Sequence, residues 1–160
     1  MAEPTDVKRF TNLNDAYKTG FEVFGELAFL EDFAFKTEVS YVYTKNQDLD
    51  ESLPLTPPLV TRFNLSFERE TVWARATYTL TSKQSDIALS FGEQTTDGYG
   101  VMDLRFGAKP FEHLTVGIAA SNIFDETYNN HLNFSFVNQA DYGRVPINDP
   151  GRNLSAFIQY

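Results

Sequence analysis

The chain has 160 residues, 13 Lys plus Arg against 22 Asp plus Glu for a formal charge of −9, 15% aromatics and no Cys. That is enough apolar material for one folded domain, the wrong charge sign for a nucleic-acid interface, and no means of building a disulfide framework or a thiolate site. No run approaches the ~18 apolar residues of a membrane helix, and residues 1–20 lack the apolar stretch of a signal peptide, but a membrane β-barrel signals itself by alternation and stays open.

Taken in chain order, the dominant period is two. Residues 33–44 place Phe33, Phe35, Val39, Tyr41 and Tyr43 at odd positions, with Lys36, Glu38 and Ser40 between them. Side chains two apart share one face of a strand, so the segment has an apolar and a polar face. The same pattern predicts strands over 7–29, 33–45, 59–68, 72–82, 98–109, 113–123 and 152–160, the first alternating clearly only in its second half. Their connections alternate in length. Leu30-Glu31-Asp32, Arg69-Glu70 and Pro110-Phe111-Glu112 are short, whereas 46–58, 83–97 and 124–151 are long and polar. Short turns on one side and long loops on the other are expected of an outer-membrane barrel.

The two faces differ sharply in charge. The apolar register, with Phe21, Val23, Leu27, Phe63, Leu65, Tyr78, Leu104, Phe106, Val116 and Ile118, carries no charge in the clearest stretches. The opposite register holds Lys18, Glu22, Glu26, Lys36, Glu38, Arg62, Glu68, Arg75, Asp103 and Arg105. One face therefore meets lipid or a protein core, and a small soluble barrel with an apolar interior fits the same count. Face parity also constrains register. Pairing Glu26 with Lys36 and Phe29 with Phe33 avoids opposing Glu26 to Glu38, so the first hairpin closes on Leu30-Glu31-Asp32. The same reasoning pairs Phe67 with Val72 and Phe106 with Val116.

Motifs narrow the reading. Asn122, Ile123, Phe124, Asp125 and Tyr128 resemble the signature that follows the penultimate strand of TonB-dependent receptors, and Pro150-Gly151-Arg152 resembles the opening of their last strand. Asn12, Ala16, Gly20 and Glu22 are similar to a strand motif further upstream, and Pro57-Pro58 is similar to a loop-to-strand proline pair. Leu154, Ala156, Ile158 and the terminal Tyr160 resemble the assembly signal that ends outer-membrane barrels. The resemblance implies an all-β fold, an antiparallel transmembrane β-barrel segment of about seven meandering strands from a barrel of about 22. Residues 1–160 would be its C-terminal part, a fragment without the plug domain or signal peptide of the family.

Enzymatic and metal chemistry find little support. Asn46, Asp48, Asp50 and Ser52 follow a calcium-loop spacing, but Glu51 stands where Gly is required and Pro57 where the bidentate acid belongs. No serine-hydrolase, zinc-protease or phosphate-loop motif is present. No cofactor, catalytic residue or metal site is assigned. His113 is expected at the surface. His131 lies in the longest loop, where a structural or solvent-exposed role is weighed above a ligand role. Asp103, Arg105, Arg62 and Arg75 are expected to form a charge network on the lumenal side.

The resemblance implies an outer-membrane location in a Gram-negative bacterium. It implies TonB-dependent uptake of a scarce solute: a metal ion, metal chelate, siderophore or cobalamin. Its partners would be membrane lipid, the plug, TonB, the barrel-assembly machinery and the solute, with no nucleic acid. Tyr128, Asn130 and His131 are the candidate solute or plug contacts, in a 124–151 loop expected to be ordered. Two alternatives stay open here: a small eight-stranded structural or adhesin-like barrel, and a soluble ligand-binding β-barrel.

Overall fold

The computed structural model describes residues 12–133 and 147–160. Seven strands form one antiparallel meander in sequence order: β1 (Ala16–Phe29), β2 (Phe33–Asn46), β3 (Val60–Glu68), β4 (Val72–Thr81), β5 (Tyr99–Phe111), β6 (Leu114–Ser121) and β7 (Asn153–Gln159). Most of the strands draw on β-branched and aromatic residues, as pleated, half-exposed segments require, and several ends are marked by turn-forming residues such as Asp32, Asn46, Pro58, Gly98 and Asn122. The expected strand over 7–29 begins at Ala16 within the described residues.

Pairing explains the two faces. One row runs Leu27, Phe35, Leu65, Ala76, Leu104, Ala120, Leu154, and the next runs Phe29, Phe33, Phe67, Ala74, Phe106, Ile118, Ala156. Both are apolar across all seven strands. On the other face a row runs Ala28, Ala34, Ser66, Arg75, Arg105, Ala119, Ser155. Nothing among the described residues covers the apolar face: Val23, Leu27 and Ile118 are 59–65% exposed. The buried hydrophobic residues among those described are Ala88 and Val101 alone. A soluble domain buries such a face, because each exposed large apolar side chain forfeits ~1.5–3 kcal/mol.

The first hairpin has the expected register, with Phe29 opposite Phe33 and Glu26 opposite Lys36. Its three-residue turn holds Leu30 and Glu31 at φ 50° and 55°. The other two hairpins differ from expectation by two residues. Phe67 faces Ala74 rather than Val72, and Arg69 N donates to Val72 O at 2.9 Å around Glu70-Thr71. A two-residue slip preserves face parity, and neither register opposes like charges. The observed one lets the Thr77 hydroxyl donate to Asn64 Oδ1 at 2.8 Å. Phe106 faces Ile118 rather than Val116, and the register shifts between Ala108 and Phe111 before Phe111 meets Leu114. Pro110 lies in that shift; lacking an N–H, it cannot complete a ladder and favours a bulge. Lys109 N donates instead to Thr71 O at 2.7 Å, on the β4 side.

An aromatic bridge marks the polar face near the short turns. Trp73 is opposite Gly107, Gly107 opposite Gly117, and Gly117 opposite Phe157. The Trp73 and Phe157 rings reach over the two glycines and stack at 6.5 Å and 23°. A Cβ on either glycine would run into a ring.

Candidate functional site at the long-loop end

Burial in this molecule is concentrated in polar residues where the long loops meet. Thr44, Asn46, Ser52, Thr56, Gln84, Asn122 and His131 are all buried there. Burying a polar group is costly unless it is hydrogen-bonded, and the bonds made here supply the order. The Thr44 hydroxyl shares hydrogen bonds with Ser52 and Thr56 at 2.8 and 2.6 Å, and accepts from Leu53 N at 2.9 Å. These fold the first long loop back onto the end of β2. Gln84 Nε2 donates to Thr56 O at 2.9 Å, which joins the second long loop to the first.

Glu93 and His131 complete the join. Glu93, 95% buried in its side chain, accepts from Leu55 N with one oxygen and from Ala88 N at 2.8 Å with the other. His131 Nδ1 lies 3.2 Å from the Thr96 hydroxyl, and Nε2 lies 3.9 Å from Glu93 Oε1 with no hydrogen-bond partner. A carboxylate facing Nε2 favours the tautomer protonated there, with Nδ1 accepting from Thr96. Burial depresses the His131 pKa below the ordinary histidine range, and Glu93 opposes that shift. Three loops, from the β2–β3, β4–β5 and β6–β7 connections, thus meet at one carboxylate–imidazole pair.

The third loop is anchored by its motif residues. Asn122 N donates to Asp103 Oδ1 at 2.9 Å, and its amide exchanges hydrogen bonds with Glu126 N and O at 2.9 and 2.8 Å. Asp125 Oδ1 accepts from Arg152 N at 2.8 Å, so the end of β6 holds the start of β7. Gly151 makes this approach possible, since a Cβ there would sit 2.7 Å from Asp125 Oδ1.

The candidate contacts lie inside this assembly. The Tyr128 ring meets that of Tyr99 at 4.3 Å, tilted by 31°, and burial raises its pKa, with Asp149 adding to the shift. Asn130 N donates to Asp149 Oδ2 at 3.1 Å, and Asn130 Oδ1 accepts from Leu132 N at 3.0 Å. His131 is buried rather than solvent-facing. In the described parts, 124–133 and 147–150, the longest loop contains turns and bonds but no strand; the alternation expected from Asn133 onward falls mostly outside the described residues. The calcium-like oxygens go to separate partners: Asn46 to Asp48 N, Asp48 to Asn14 N, Asp50 to Lys45, Ser52 to Thr44. Of the expected charge network, Arg62 meets Glu38 at 3.4 Å, and Glu38 also meets Lys36 at 2.6 Å. Arg75, Arg105 and Asp103 do not join it. Leu154, Ala156, Ile158 and Tyr160 are exposed on the free-edge strand or just beyond it.

Sequence reasoning missed Glu93, Thr96 and Tyr99, whose partners lie 29 to 38 residues away. It also missed the Trp73–Phe157 bridge. A signal for the bridge existed: the single Trp stands in the polar register, and two later strands carry Gly in theirs.

Comparison with known proteins agrees with this geometry. The family described as "TonB dependent receptor-like, beta-barrel" matches residues 2–123. Among solved structures, the copper transporter OprC superposes with a TM-score of 0.85 at 22% identity, over 91% of this chain and 24% of that one. The ferric yersiniabactin uptake receptor FyuA from Yersinia pestis gives 0.68 at 14% identity, over 89% of this chain and 23% of that one. This chain therefore spans about a quarter of the length of these solved structures. No curated protein matches it. With the family model matched over most of its length, the chain belongs to the TonB-dependent receptor β-barrel family.

Proposed function

We propose that this chain forms the C-terminal part of the barrel wall of an outer-membrane receptor that takes up a scarce metal ion or metal chelate with energy delivered through TonB. The observation that carries the reading is the pair of apolar rows, unbroken over seven strands and uncovered. Lipid is the medium that such a face requires, and the charged register then lines a wet lumen. The free edges of β1 and β7 would pair with further strands, because unpaired backbone in lipid costs several kcal/mol per group. The whole receptor would hold a plug in its lumen and reach the membrane through the barrel-assembly machinery, with Leu154, Ala156, Ile158 and Tyr160 as the recognised end.

The metal-type solute is supported by the names of the two superposed receptors, a copper transporter and a ferric-chelate receptor. In this reading Tyr128, Asn130 and His131 position the outer loop that touches solute or plug, through the Glu93 clasp. The intact gene product, isolated from membranes, should be heat-modifiable and sediment with the outer membrane, and its sequence upstream should encode a plug and a TonB box. Recovery in the soluble fraction without detergent would overturn the proposal. Replacing His131 by Ala should weaken solute affinity in detergent; unchanged affinity in a folded barrel would leave the loop a capping role only.

A further inference from the structure

Arg75 and Arg105 are direct cross-strand partners on the polar face. Both are exposed, and among the described residues neither has an ion-pair or hydrogen-bond partner. Like charges set directly opposite each other destabilise a sheet. The nearest acid along the same face of β5, Asp103, accepts a hydrogen bond from Asn122 N. By contrast, Arg62 at the neighbouring strand has Glu38 opposite it and pairs with it. Among the described residues the arginine pair is thus uncompensated.

Its surroundings suit a polypeptide. The remainder of the row is small: Ala34 and Ser66 on one side, Ala119 and Ser155 on the other. Two guanidiniums therefore stand in a row whose other side chains are small, which leaves an approaching chain free of steric opposition from its neighbours in that row. The adjoining row toward the short turns is the Trp73–Phe157 bridge, an apolar shelf on the face that carries the charges. Arg75 is three residues from the start of β4 at Val72, about 10 Å from the short-turn end, and so lies far from the loop clasp.

We propose that Arg75 and Arg105 form a two-guanidinium clamp for an Asp or Glu carboxylate on the polypeptide segment that fills the lumen, with the Trp73–Phe157 shelf receiving an apolar neighbour of that acid. The clamp rests on the barrel-wall reading above. Its chemistry is specific, because two planar donor forks can saturate one carboxylate, and an acid between them removes the repulsion.

The test uses the intact receptor in planar bilayers, with urea used to loosen the lumenal segment and conductance as the readout. The double variant R75Q/R105Q should keep a heat-modifiable barrel and open at lower urea, its opening equilibrium raised about tenfold by the lost charge-assisted hydrogen bonds. Arg62→Gln, which removes a guanidinium already paired with Glu38, should open like the parent. If the double variant does not fold, Arg105→Gln alone relieves the repulsion and must still ease opening. A folded variant that opens like the parent overturns the clamp. So does one that loses affinity only for an anionic solute while opening normally, since the carboxylate would then be the solute's. A parent receptor with no urea-dependent opening sinks the barrel-wall reading instead, and the clamp with it.

Discussion

Exchanging neighbouring residues for Arg separates the two faces, and the structure sets the size of the difference. Phe63 lies between Val60 and Glu68, near mid-strand in β3, on the apolar register. Arg there places a charge in lipid at about 2–4 kcal/mol near the midplane. It also removes a ring stacked on Phe35 at 6.2 Å and 15°, which is worth about 0.5–1.5 kcal/mol more. The expected loss is about 2.5–5.5 kcal/mol. Asn64 lies on the polar face, and in the proposed barrel Arg there meets water. Its cost is still not zero, because Asn64 accepts from Thr77 and stands opposite Lys36. Losing one hydrogen bond and adding a like-charge pair predicts about 1–2 kcal/mol. Equilibrium unfolding of the intact barrel in urea, from detergent or thin bilayers, measures both. Equal losses at 63 and 64, or a larger loss at 64, would refute the assignment of lipid to the apolar rows.

Removing Tyr160, or changing it to Asp, should block outer-membrane assembly of the intact receptor while its soluble precursor is unaltered; heat-modifiable, surface-exposed protein would contradict this. The loop clasp should weaken in acid. The folded-state pKa of His131 is depressed, so its contribution is complete above the ordinary histidine pKa of about 6.5 and is lost as pH falls through the lower folded value. Hydrogen exchange at Leu55 and Ala88, followed against pH, should show that loss, and His131→Asn should flatten the dependence. Gly107→Ala drives a methyl into the Trp73 indole and should cost about 1–3 kcal/mol, partly recovered when Trp73→Ala is added; the fluorescence of the single Trp reports whether the ring has moved.

Alternation, loop lengths and the separation of charge onto one register are local properties, so the strands, their faces and the meander were legible in the sequence. The first hairpin's register was legible too, because Glu26 finds Lys36 in one alignment and Glu38 in the next. The other two hairpins were not. Slipping β3 against β4 by two residues leaves every side chain on its own face, and no charge at that hairpin discriminates. The choice falls to contacts such as Thr77 with Asn64, and at β5 to the missing N–H of Pro110. The Glu93–His131 clasp and the Trp73–Phe157 bridge belong wholly to the tertiary structure. Each joins residues from different parts of the chain, 38 and 84 positions apart, and no local period encodes which loop ends or strands will lie together. The Arg75–Arg105 pair, without an acidic partner among the described residues, has the same origin: their sequence positions show two arginines on the polar register, and only strand pairing makes them partners.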